Sequence, residues 1–153
     1  MDIRLIVIGK IKEKFIVDGI NEYLKRIKPF ANLEIIEIKE LNNFESERNL
    51  TDEGKNVLKY ISSSDFVITL EIEGKMLSST ELADYINKHY TYNNKVITFV
   101  IGSSDGLSDE VKKRSDYKLS FSKMTFPHQL MRLVFLEQLY RAFSIINNSK
   151  YHK

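Results

Sequence analysis

Leu119-Ser120-Phe121-Ser122-Lys123-Met124-Thr125-Phe126-Pro127-His128-Gln129-Leu130-Met131-Arg132 is the stretch from which the architecture is read. It opens as a short strand and breaks into a loop in which small hydroxyls are interleaved with Phe121, Met124 and Phe126. Such an amphipathic mix suits a pocket that encloses a flat ring and offers backbone hydrogen bonds. The chain restarts at Pro127, a residue favoured at the first helical position, where its missing N–H costs nothing. The helix that follows carries Leu130, Met131, Leu133, Val134, Phe135, Leu136, Leu139, Tyr140, Ala142, Phe143, Ile145 and Ile146, leaving little polar surface. A helix apolar almost all round must be buried on more than one side, which predicts a subunit interface and a homodimer. A polar tail, Tyr151-His152-Lys153, ends the segment.

Working outward, Lys95–Ile101 is a strongly apolar strand ending in Gly102-Ser103-Ser104-Asp105-Gly106-Leu107, a glycine turn between a strand and a helix predicted from Ser108 to about Arg114. Phe66–Leu70 is another strand, followed by an acidic loop, Glu71-Ile72-Glu73-Gly74-Lys75, and by Ser78-Ser79-Thr80-Glu81, whose spacing predicts a capped helix start. At the front of the chain, Ile3–Ile8 is a buried strand ended by Gly9, and Ile11–Lys28 is an amphipathic helix stopped at Pro29. Leu33–Ile38 mixes glutamates with apolar residues, as a strand nearer the sheet edge does. Asn42–Asp52 reads as a polar connection, with a helix from Glu53 to Ser62. Strands alternating with helices predict a parallel, doubly wound α/β sheet, with ligands bound at the carboxyl ends of the strands. The loops after Leu70, Ile101 and Ser120 are therefore the expected pocket.

A chain of 153 residues, 42% hydrophobic and 29% charged, supports one core, so residues 1–153 are read as a single domain. Cysteine is absent, which excludes disulfides, thiolate metal sites and cysteine nucleophiles. The N-terminus lacks the pattern of a signal peptide, and no apolar run approaches the ~20 residues of a membrane span, so a cytoplasmic protein is expected. His89, His128 and His152 are too scattered for a metal site. Net charge is only +2, yet from Lys112 onward nine basic residues face two acids, Asp116 and Glu137, a bias that suits a phosphate-rich partner.

Several separated blocks in order, Ile8-Gly9-Lys10, Thr69-Leu70-Glu71, Gly74-Lys75, Phe99-Val100-Ile101-Gly102, Leu119–Arg132, Glu137-Gln138-Leu139-Tyr140-Arg141-Ala142 and Tyr151-His152-Lys153, resemble the RlmH family of ribosomal RNA methyltransferases in the SPOUT superfamily. The resemblance spans the whole chain. It implies transfer of a methyl group from S-adenosylmethionine to N3 of a pseudouridine in 23S ribosomal RNA, on the assembled ribosome, by a homodimer with a C-terminal trefoil knot. It also implies a cofactor pocket formed by Leu70, Gly102, Phe121, Ser122, Lys123, Met124, Thr125 and Phe126. In that setting His152 is the expected base or base-orienting group, Tyr151 a stacking partner for the target base, and Lys153, Arg132 and Arg141 phosphate contacts; Arg141 is equally placed to pair with Glu137, four residues earlier. One departure stands out. The family usually has two successive glycines where this chain has Gly102-Ser103, and a serine costs cofactor affinity if its position needs positive φ. The alternative is a cofactor-binding RNA-interaction or assembly protein without turnover.

Overall fold

In the computed structural model, which describes residues 1–93 and 95–153, strands and helices alternate strictly: β1 (Asp2–Ile8), α1 (Lys14–Ile27), β2 (Asn32–Ile38), α2 (Ser46–Leu58), β3 (Phe66–Met76), α3 (Ser79–Asn93), β4 (Ile97–Ile101), α4 (Asp109–Arg114), β5 (Tyr117–Ser120) and α5 (His128–Ile146). The strands form one sheet in the order β2-β1-β4-β3-β5, and every neighbouring pair is parallel. The expected parallel α/β sheet is thus present, with the glutamate-bearing β2 at an edge. Between β1 and β3 lies β4, Ile97-Thr98-Phe99-Val100-Ile101, in which all five residues are buried. A strand covered on both faces reads as a continuous apolar run because neither set of side chains meets water.

The two faces have separate cores. Ile3, Leu5, Val7, Ile68 and Phe99 point to the face covered by α1, α3 and α5, whereas Ile6, Ile8, Val67 and Val100 point to the face covered by α2 and α4. Moves toward the β2 edge use helices of the first layer and moves toward the β5 edge use helices of the second, so all crossovers share one hand.

α5 lies within the first layer, between α1 and α3. Its Leu133 packs on Gly19 of α1, Phe143 stacks on Phe30 at 6.2 Å, and Gln138 Oε1 accepts a 2.8 Å hydrogen bond from Ser79 Oγ at the start of α3. The apolar circumference that predicted a subunit interface is therefore largely consumed inside the chain: Phe135, Leu136, Leu139, Ala142 and Phe143 are fully buried against the sheet and neighbouring helices. A chain-terminal helix is here a central one.

Two of the boundaries that differ from the sequence reading bear on the packing. α2 begins at Ser46, inside the segment read as a connection, because its inward positions Asn49, Glu53, Gly54 and Val57 keep helical spacing while only Val57 is apolar. Strand β3 continues to Met76 through the segment read as a loop. Leu119 of β5 pairs with both Leu70 and Lys75, so Glu71–Gly74 is an excursion in the ladder, and Gly74 sits so close to β5 that a Cβ there would lie 2.6 Å from the Lys118 carbonyl oxygen. The predicted cap of α3 is formed: Ser78 Oγ accepts from Glu81 N, and Glu81 Oε2 accepts from Ser78 N.

Candidate functional site

A cavity of about 610 Å³ opens at the carboxyl ends of β3, β4 and β5. All three predicted loops contribute to it. Leu70, Gly102, Phe121, Ser122, Met124, Thr125 and Phe126 line it, but Lys123 does not; its side chain is exposed in the same loop. The loop is held by its own hydroxyls: Ser120 Oγ donates to the Ser122 carbonyl at 3.1 Å, and Ser122 Oγ accepts from Met124 N at 2.9 Å. Phe121 leans on Phe135 of α5, while Met124 stays 75% exposed at the rim.

The glycine turn is built differently from the expectation. Gly106 N donates to the Ser103 carbonyl at 2.9 Å, and Ser103 Oγ accepts from Asp105 N at 3.3 Å. Positive φ falls at Gly106, at 88°, and neither Gly102 nor Ser103 adopts it. Serine at 103 therefore carries no backbone strain and stabilises the turn with its hydroxyl. Gly102 is required for another reason: a Cβ there would collide with the Gly106 carbonyl oxygen that folds back over it.

Residues not singled out from the sequence also reach the cavity, among them Glu71, Glu73, Lys112 and His128. Glu71 is fixed by a 2.6 Å hydrogen bond between its Oε2 and the hydroxyl of Thr69, which is wholly buried. The available signal was the alternation of glutamates directly after Leu70. Lys112 lies within α4 and His128 opens α5, each helix following a pocket loop, a placement visible only once the sheet order is known.

Arg132, expected at RNA phosphates, is buried. Its guanidinium donates to Glu37 Oε2 at 2.9 Å, to the Gly9 carbonyl at 2.9 Å and to the Ile8 carbonyl at 3.4 Å. Burial lowers its pKa and Glu37 pulls the other way. It clamps the start of α5 to the end of β1 and is unavailable to solvent phosphates. Arg141 is likewise spent within the chain: its Nε donates to Glu137 Oε1 at 3.1 Å, a second guanidinium nitrogen reaches the same oxygen, and the hydrogen bond raises its pKa.

The tail is docked on the C-terminal half of α5 and on α1. Tyr151 Oη donates to Glu137 Oε1 at 3.0 Å and lies 3.5 Å from Tyr23 Oη, and its ring meets the edge of Tyr140 at 4.7 Å. The Tyr23 contact, burial and Glu137 together push its phenol pKa well up. In this position Tyr151 is not free to stack on a base. Arg141 lies 3.1 Å from His152 Nδ1, a contact in which only the guanidinium can be the donor. Lys153 is exposed at the chain end. Arg141 lies ten residues beyond the cavity-lining Met131 on α5, an axial separation of about 15 Å, so the tail does not reach its own chain's cavity.

Among the described residues no group of three or more histidine, cysteine, aspartate or glutamate side chains is placed to hold a metal ion, and no helix is long and apolar enough to cross a membrane.

A family model described as "Predicted SPOUT methyltransferase" matches residues 1–152. Over their full lengths, the chain is 48% identical to the "Ribosomal RNA large subunit methyltransferase H" of Carboxydothermus hydrogenoformans and 50% identical to that of Bacillus pumilus. Among solved structures, a probable methylase family protein from Haemophilus influenzae Rd KW20 superposes with a TM-score of 0.56 at 17% identity, covering 99% of this chain and 70% of that one. A probable methyltransferase from Bordetella pertussis Tohama I gives 0.56 at 12% identity, covering 92% and 95%. At these identities the two structures speak to the fold alone.

Proposed function

The chain belongs to the SPOUT methyltransferase family, and on that premise we propose that it is a ribosomal RNA methyltransferase that uses S-adenosylmethionine to methylate N3 of a pseudouridine in 23S ribosomal RNA. Its substrate is the assembled ribosome, and its working form is a homodimer. The observation that carries this reading is the cavity at the carboxyl ends of β3, β4 and β5, lined by seven of the eight residues that the family resemblance nominates.

The residues present fit the cofactor. The volume suits a ligand of its size, Ile101, Leu107, Phe121 and Phe126 offer apolar walls for an adenine ring, and the close turn at Gly102 brings backbone groups to the surface of the cavity. Glu71, held by Thr69, places a carboxylate where a cationic ligand gains from it. When bound, S-adenosylmethionine supplies an activated methyl group on a sulfonium. The chain's task is then to align the acceptor nitrogen with that methyl and to exclude water, and alignment alone is worth ~7–11 kcal/mol in favourable cases. No covalent enzyme intermediate is required.

Two observations support a dimer in which the tail of one subunit serves the cavity of the other. The tail lies about 15 Å along α5 from its own cavity, and Met124 and Phe126, which line the cavity, leave apolar surface exposed at its rim. Lys153, at the exposed end, is the tail's phosphate contact. A knotted path is supported by the connection from edge strand β5 to α5, which crosses the ends of β3 and β4 to reach β1, where Arg132 anchors it. The reading without turnover rested on Ser103, and the unstrained turn there removes its motive.

The test is transfer of labelled methyl from S-adenosylmethionine to ribosomes, compared with naked 23S RNA and with ribosomes lacking the pseudouridine. Label confined to pseudouridine-containing ribosomes is the expected result; cofactor binding with no label anywhere would replace the enzyme by a binding protein.

A further inference from the structure

The side chains of the tail form one connected unit with Glu137 at the root. Glu137 Oε1 accepts from Arg141 and from the Tyr151 hydroxyl, while Oε2 accepts from Gln138 Nε2, which in turn presents its oxygen to Ser79 on α3. Arg141 uses its remaining terminal nitrogen on His152 Nδ1 and lays its guanidinium over the Tyr151 ring, 4.8 Å from the centroid. An arginine has donors only, so the nitrogen it meets must be the acceptor of the imidazole. In the neutral ring that contact leaves the proton on Nε2.

We propose that Glu137 is a positioning residue for the tail, which through Arg141 fixes His152 as an Nε2–H donor rather than as a proton acceptor. This rests on the reading that the tail serves the partner subunit's cavity. The chemistry matches the acceptor. N3 of the target ring is flanked by two carbonyl groups; it gives up its proton to solvent, the electron pair left on N3 forms the new N–C bond, and the old C–S pair stays on sulfur. Negative charge in the intervening anion gathers on the carbonyl oxygens, where a fixed N–H donor stabilises it. His152 needs no proton-accepting nitrogen for that role. The charge on Glu137 matters because an ionised acceptor makes the stronger, shorter hydrogen bond and holds the guanidinium in one orientation.

The test combines imidazole nitrogen NMR on the full-length dimer with kinetics. His152→Gln identifies the His152 resonances by their loss. The wild type should show an unprotonated Nδ1 and a protonated Nε2, and Glu137→Gln or Arg141→Met should give averaged tautomers. In those variants kcat should fall about 10- to 100-fold, the size expected for losing one charge-assisted hydrogen bond, with KM for S-adenosylmethionine unchanged. His152→Gln, which keeps an N–H donor near the Nε2 position, should retain activity that His152→Phe loses. The proposal is overturned if Glu137→Gln leaves the tautomer unaltered, if its loss of kcat tracks a loss of dimer or of folded protein, or if His152→Gln is as inactive as His152→Phe. A wild type with the Nε2–H tautomer that methylates no ribosome supports the relay and sinks the methyltransferase reading instead.

Discussion

Gly102 and Ser103 are neighbours with opposite tolerances. A Cβ at Gly102 collides with the Gly106 carbonyl oxygen, so Gly102→Ala must displace the turn that forms one cavity wall. Cofactor affinity by titration calorimetry should fall about tenfold or more, the effect of losing one well-placed contact. Ser103→Gly should leave affinity nearly unchanged, since φ at 103 is already negative and the removed hydroxyl bonds only the turn itself. Arg132 makes a different case. Arg132→Ala strands two carbonyl groups and removes the partner of exposed Glu37, and should cost about 3 kcal/mol in urea unfolding. At this scale the cavity residues were legible because they occupy continuous stretches at strand ends. Arg132 and Lys123 were not, because a charge in a sequence does not say whether it will be buried, and the buried one had its partner, Glu37, on a distant strand.

Elements were legible where apolar spacing marked them and obscure where polar residues did the packing. α2 hides Asn49 and Glu53 on its inner face; Asn49 closes a loop by bonding both the amide and the carbonyl of Phe44, and Glu53 Oε2 accepts from Leu41 N. No hydropathy pattern announces such a helix. α3 carries a pH-dependent contact. His89 stacks on Phe66 at 4.0 Å and tilts against Tyr85 at 4.4 Å, and burial lowers its pKa against the opposing pull of Asp116. The unfolded chain then binds a proton more readily than the folded one between the depressed value and the usual ~6.5, so stability rises with pH through that window and is lost as pH falls. Urea midpoints at about pH 7.5 and pH 5.5 should differ less in His89→Phe than in the wild type.

For the molecule as a whole, periodicity predicted the sheet and its ligand-binding end, while the strand order and the place of α5 came only from packing across more than a hundred residues. The apolar helix read as an interface proved to be core, so the case for a dimer passes to the exposed rim of the cavity and the distant tail. Subunit mixing decides it. Gly102→Val supplies a damaged cavity with an intact tail, and His152→Phe the reverse; equal amounts, re-associated at random, should recover roughly a quarter of wild-type activity if the tail works across the dimer, and none if it works within one chain. The central position of α5 also bears on how the chain is made. Synthesis delivers it after every strand of the sheet, yet Phe135, Leu136, Leu139 and Phe143 complete the core on one face of that sheet. A nascent chain halted before His128 would expose β1 and β4 to proteases and chaperones, so cellular quality control can tell a chain that has acquired α5 from one that has not by the cover this helix provides.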